Sequence, residues 1–289
     1  LLRGLCMLHL FSPLLGAPPR AATAGRSDTA STVGPPDKPD EQSWVYGVAG
    51  TTLPTDEDQK PTWGAFGEAC DQGQSQSPID ICTSTVQPIA NSSLRLHLHD
   101  YASLLPMNSG HNYELKTDDS SEEIFTEVEG EQMRFVQVHW HAPSENTIDG
   151  SYAAMEAHFV HQGPTEEDLA VVAVRYNIAE RCNPSLEAFW DRFPSAEGDA
   201  EAAVPTVPLG AMLSPALLAG GYYRWNGSLT TPPCTEGVRW FLLKREEPVC
   251  EAQVQRLRQT LLGMQGVNYN NRAVQPLHGR PVLSAPALR

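Results

Sequence analysis

Nine histidines stand in this 289-residue chain, and three of them have the spacing of a metal site. His139-Trp140-His141 ends an alternating run, Arg134 to Trp140 (RFVQVHW), that reads as a β-strand, where side chains two apart share a face. Two imidazoles at that spacing make half of a tetrahedral zinc site. His158 follows on a second strand-like run, Ala154 to Val160 (AMEAHFV), close enough in sequence for a hairpin to bring it alongside. Three neutral imidazoles with one open position is the arrangement of a catalytic zinc, whereas structural zinc sites close with four protein ligands. Spacing alone does not single this pair out, because His97-Leu98-His99 repeats it. The neighbours separate the two. Gln137 and Glu156 each stand two residues before a candidate ligand, on the same strand face, where an amide or carboxylate can take the other ring N–H and fix the tautomer. Arg95 holds the equivalent place beside His97 and would repel a cation, so His97 and His99 read as solvated strand histidines.

The elements that must carry these residues are mostly strands. Leu94 to Leu98 alternates, Val171 to Tyr176 (VVAVRY) is a continuous apolar run suited to a buried strand, and Trp240 to Leu243 (WFLL) resembles it. Helix-like stretches are fewer: Leu186 to Phe193, and Glu251 to Leu262 with Val254, Leu257, Leu261 and Leu262 on a shared face. The pattern predicts a mixed α/β fold dominated by β, a single domain with a large, mostly antiparallel twisted central sheet and peripheral short helices.

Residues 1–24 read as a signal peptide: a basic Arg3, an apolar stretch from Leu5 to Leu15, and a small-x-small site at Ala22-Thr23-Ala24. Residues 25–42, rich in Pro, Ser, Thr and Asp, read as a flexible linker, 43–284 as the catalytic domain and 285–289 as a tail. These features predict a secreted, periplasmic or organelle-lumen protein. No later segment approaches the ~18 apolar residues of a membrane span, so the chain is expected not to span one. With 20 Lys and Arg against 35 Asp and Glu, the net charge of −15 argues against a nucleic-acid partner.

The chain closely resembles the α-class carbonic anhydrases. The resemblance runs through QSPIDI (Gln76–Ile81), SGHNYEL (Ser109–Leu115), FVQVHWHAPSENTIDG (Phe135–Gly150) and AAMEAHFVH (Ala153–His161). It continues through NGSLTTPPCTEGVRW (Asn226–Trp240) and the NNR, QPL and GR groups between Asn270 and Arg280. It implies reversible hydration of carbon dioxide to bicarbonate and a proton, with Zn2+ on His139, His141 and His158 and attack by zinc-bound hydroxide. By the same resemblance Thr230 accepts a hydrogen bond from that hydroxide and Glu145 accepts the threonine's proton. Val160, Val171, Leu229, Val238 and Trp240 match the apolar wall that holds carbon dioxide. His111 matches the proton shuttle, whose imidazole titrates near neutrality and can pass a proton to buffer, and Tyr46 matches the tyrosine that orders water on the path to it. Ser109 and Glu114 stand where the mammalian pattern has asparagines, Asn146 where it has a histidine, and Trp225 where a tyrosine is common. The alternative is a catalytically silent carbonic-anhydrase-like binding domain; such domains typically lose a zinc histidine.

Six cysteines suit an oxidising compartment. Cys70 and Cys234 fall where secreted relatives carry a disulfide. With Cys6 in the leader, five remain, so at least one of Cys82, Cys182 and Cys250 is expected to stay unpaired, available to link a second chain into a disulfide-bonded oligomer.

Overall fold

Strand-forming residues fill the middle of the chain, and the computed structural model describes residues 44, 46–47, 63–91, 93–97, 102–117, 124–194 and 203–287. The expected signal peptide and linker lie outside the described residues. The strands are β1 (Asp80–Ile81), β2 (Gln87–Pro88), β3 (Leu94–His97), β4 (Ala102–Asn108), β5 (Tyr113–Lys116), β6 (Phe125–Val128), β7 (Glu131–His141) and β8 (Thr147–Ile148). They continue as β9 (Met155–Gln162), β10 (Leu169–Ile178), β11 (Val204–Val207), β12 (Tyr222–Ser228), β13 (Glu236–Leu243), β14 (Glu247–Val249) and β15 (Leu283–Ser284). Thirteen of them form one sheet whose spine runs β11-β4-β5-β7-β9-β10-β13-β12-β15-β2, with β3, β6 and β14 paired onto it. The expected mostly antiparallel sheet is present; the parallel pairings within it are β10 with β13 and β14, and β15 with β2.

The helices are short and peripheral: α1 (Glu68–Gln72), α2 (Pro184–Glu187), α3 (Leu209–Met212), α4 (Pro215–Leu218) and α5 (Glu251–Gln265). The stretch expected as one helix over Leu186 to Phe193 divides into α2 and a single 3-10 turn at Trp190–Arg192. Asn183 caps α2 through the Ser185 N–H with Pro184 in its first turn. Beyond it, Phe189, Trp190 and Phe193 turn into the core, which ends the helical repeat. In α5, Val254, Leu257 and Leu261 are buried as expected, but Leu262 is 53% exposed; it stands about 100° round the helix from Leu261. Gly266, at φ 74°, closes α5 in the left-handed conformation that suits glycine. No helix among the described residues is long and apolar enough to cross a membrane.

The main core lies on one face of the sheet, where Phe135, Val138, Trp140, Phe159, Phe189 and Trp190 pack together. Truncating Trp140, which is fully buried, to alanine would cost about 3–5 kcal/mol. A second apolar cluster includes Val171, Val238 and Trp240, with Val160 and Leu229 against it. A kink in β7 decides which residues face which side. Its register against β9 shifts between Phe135 and Gln137, so Phe135 and Val138, three apart, both enter the main core. That bulge hands Gln137, His139 and His141 to the opposite face.

Among the described residues two disulfides tie loops to this frame: Cys70 in α1 to Cys234, and Cys182 to Cys250 at the start of α5. The second settles a pairing that the sequence left open. The fold brings Cys182 and Cys250 to 4.3 Å between Cα atoms, within bonding reach, although 68 residues separate them in sequence. No described cysteine is free, so the unpaired thiol that would link a second chain, and the oligomer built on it, find no support.

Candidate active site

Side by side in the middle of the sheet, β7 and β9 present the three histidines. His139 pairs directly across from His158, and His141 lies two residues along β7, across from Glu156. Ring centroids are 5.0 Å apart for His139 and His141, 5.2 Å for His139 and His158, and 4.6 Å for His141 and His158. One nitrogen of each lies within 4.8 Å of the others. His97 is the last residue of β3, and His99 is outside the described residues.

Each imidazole has its other nitrogen anchored. His139 Nδ1 donates to Gln137 Oε1 at 2.8 Å, His141 Nδ1 to the Asn270 carbonyl at 2.7 Å, and His158 Nε2 to Glu156 Oε1 at 2.8 Å. Because these acceptors demand an N–H, the lone pairs are left on His139 Nε2, His141 Nε2 and His158 Nδ1. His141 Nε2 is buried and has no hydrogen-bond partner. A buried, unsatisfied lone pair beside two others is what a bound cation would complete. Burial, then repulsion by the neighbouring histidines, holds His139 and His141 well below the usual imidazole range. They are therefore neutral and ready to ligate.

His139 and His158 form the floor of a cavity of about 230 Å³ with two unlike walls, and His141 lies buried beside them. One is apolar, made by Val160, Val171, Leu229 and Trp240; the other carries His111, Glu114 and Gln137. Val238, fully buried, belongs to the same apolar cluster without being among the lining residues. Thr230 lines the cavity from the turn between β12 and β13. Beside it, buried Glu145 accepts the Arg272 N–H at 2.8 Å. Burial pushes the Glu145 carboxyl up to about 7, against the pull of His158, of the Thr230 hydroxyl and of the Arg272 N–H. Glu145 Oε2 is 3.9 Å from His158 Nδ1, so a metal there would lower it again.

At the mouth, the half-buried His111 ring stacks on Trp44, centroids 3.8 Å apart and 15° from parallel. Tyr46 is wholly buried with its ring edge-on to His111 at 6.3 Å. Its hydroxyl is held well above the usual phenol range by burial and by Glu145 and Glu114. Two contributors carried no sequence signal. The Asn270 carbonyl is a backbone group, so no residue type announces it; the Asn270 side chain bridges Trp140 O, His111 O and the Ala142 N–H. Trp44 is the first described residue, 67 residues before the histidine it stacks on.

Residues 58–286 match the family model for eukaryotic-type carbonic anhydrase. This chain belongs to the α-carbonic anhydrase family. The match spans most of the chain, and members of this family are lyases. This carbonic anhydrase is 36% identical over 228 residues to alpha carbonic anhydrase 7 of Arabidopsis thaliana, covering 77% of each chain. It is 35% identical over 235 residues to a carbonic anhydrase of Neisseria gonorrhoeae, covering 79% of this chain and 86% of that one. Among solved structures, the α-carbonic anhydrase of Thermovibrio ammonificans, in complex with the inhibitor sulfanilamide, superimposes with a TM-score of 0.71 at 30% identity. That likeness covers 83% of this chain and 98% of the other.

Proposed function

We propose that this chain catalyses the reversible hydration of carbon dioxide to bicarbonate and a proton, with zinc held by Nε2 of His139 and His141 and Nδ1 of His158. The observation that carries the reading is the convergence of one nitrogen from each of three imidazoles beside a cavity that His139 and His158 line. Carbonic anhydrase is itself the standard example of what zinc supplies in such a site, hydroxide at neutral pH from water whose pKa falls from 15.7 to about 7.

The remaining steps belong to the chain's own side chains. Glu145 accepts a hydrogen bond from the Thr230 hydroxyl, so Thr230 can only accept from what stands beside it in the cavity. It thereby orients a protonated oxygen and disfavours ligands with no proton to give. Val160, Val171, Leu229 and Trp240 offer a dry surface to uncharged carbon dioxide and little to bicarbonate, which favours product exit. His111 carries the released proton to solvent: its imidazole sits at the mouth, against Trp44, and can exchange with buffer near neutral pH. Tyr46 and Glu114 flank the route to it. The two disulfides suggest an oxidising compartment, and we place the protein outside the cell, in the periplasm or in an organelle lumen.

Stopped-flow carbon dioxide hydration on the purified protein, with metal analysis of the same sample, tests this reading. Hydration with about one zinc per chain is expected. A zinc-loaded but inactive protein would overturn it in favour of a carbonic-anhydrase-like binding domain.

A further inference from the structure

Three different acceptors stand behind the three ligands: an amide oxygen for His139, a backbone carbonyl for His141 and a carboxylate for His158. The carboxylate is the one that cannot be left to itself, because Glu156 is fully buried and a buried charge needs its hydrogen bonds. One residue supplies them. Glu156 Oε1, besides accepting from His158, accepts from Asn146 Nδ2 at 2.6 Å, and Oε2 accepts from the Asn146 backbone N–H at 3.0 Å. On its other side Asn146 Oδ1 accepts from the Ile79 N–H at 3.1 Å. The Asn146 carbonyl accepts from Ser144 Oγ at 2.9 Å. Asn146 is itself fully buried.

The orientation of this amide is dictated by its partners. A carboxylate only accepts, so the NH2 must face Glu156; a backbone N–H only donates, so the carbonyl oxygen must face Ile79. Asn146 therefore ties the turn after β7 to the Gln76–Ile79 segment and, through Glu156, to a ligand on β9. The chain Ile79, Asn146, Glu156, His158 is continuous, dry and hydrogen-bonded at each link.

We propose that Asn146 is the positioning residue for His158: by fixing Glu156 Oε1 against His158 Nε2, it keeps Nδ1 turned toward the metal and sets how long the metal stays. The inference rests on the zinc reading above. An isosteric apolar side chain would fill the space but leave Glu156 without its side-chain donor and Ile79 without its acceptor. A histidine, with a donor and an acceptor on opposite edges of the ring, would keep both roles.

The test is the rate at which the zinc-loaded full chain loses metal to excess chelator. Asn146→Leu is expected to speed that loss by about 10- to 100-fold, the range that groups behind the ligands command, while Asn146→His stays close to wild type. In the metal-free protein, the His158 Nε2–H proton should exchange slowly in the wild type and in Asn146→His, and fast in Asn146→Leu. If the leucine variant does not fold, Asn146→Ser, which loses the amide donor, serves the same comparison. Wild-type metal loss from Asn146→Leu, or from Asn146→Ser where it stands in, would overturn the proposal. So would equal loss from the leucine and histidine variants, because packing would then be the cause. A wild-type chain that binds no zinc at all would instead strike at the zinc reading itself.

Discussion

The floor of the cavity and its mouth are built in opposite ways. The floor comes from two adjacent strands, β7 and β9, hydrogen-bonded over most of their lengths. Its geometry is the pleat itself: residues two apart face the same way, and cross-strand partners meet. The mouth and the Thr230 side are assembled from turns and segments far apart in sequence. They are Trp44 and Tyr46, the turn holding His111, the loop between β12 and β13, and the stretch after α5. Each of these is anchored from outside itself, by the Cys70–Cys234 bond, by Asn270 or by ring stacking. The contrast teaches that the three histidines themselves belong to the sheet, braced from behind by Asn146 and Asn270 in loops, while proton handling belongs to the mouth. Changes to one should be separable from changes to the other.

The largest expected effect tests the floor. His158→Ala removes a ligand rather than a group behind one, so it should abolish stoichiometric zinc binding and cut hydration by more than the roughly 10- to 100-fold that outer groups command. Metal analysis and stopped flow on the same preparation check both halves. Thr230→Ala tests the opposite side: zinc should remain at wild-type content while kcat/KM falls about 100-fold. Loss of zinc in that variant would dissolve the proposed division.

Next comes a buried histidine of the sheet that faces away from the cavity. His161, on β9, sits 3.0 Å through Nε2 from Thr126 Oγ1 and is held down to about 4 by burial. The unfolded chain takes up that proton near 6.5, whereas the folded protein resists until about 4. Stability is therefore full above 6.5 and falls as the pH drops, by about 3 kcal/mol at pH 4. Urea titrations of the metal-free protein at pH 7 and pH 4 should show this loss in wild type and a smaller one in His161→Gln. Equal losses would remove His161 from the account.

The smallest effect belongs to the mouth. His111→Ala should lower kcat in dilute buffer, leave kcat/KM unchanged and recover in imidazole buffer, as expected when only proton exit is slowed. A fall in kcat/KM would mean that His111 shapes the floor after all.

Gln137 and Glu156 were readable because strand periodicity converts a spacing of two into a shared face, so candidate ligands and the groups behind them appear together in the string. The bulge in β7 was not read from the string, where Arg134 to Trp140 passes as a plain alternation, because it depends on the pairing with β9. Asn270 was hidden for another reason: it acts on His141 through a carbonyl, and every residue has one. The Cys182–Cys250 bond was open because connectivity depends on distances that spacing does not encode. The single helix expected over Leu186 to Phe193 failed because core burial of three aromatics overrode local propensity.

By itself, then, the sequence determined the strand periodicity, the three-histidine set with its amide and carboxylate neighbours, and the family to which the chain belongs. Those are local patterns, set by a two-residue repeat and by side-chain chemistry. Tertiary structure alone decided which ring nitrogen keeps its lone pair free, which backbone carbonyl holds His141 and which cysteines are joined. It also decided that Asn146 reaches Glu156, because each of these depends on groups far apart in the chain meeting within hydrogen-bond or covalent reach.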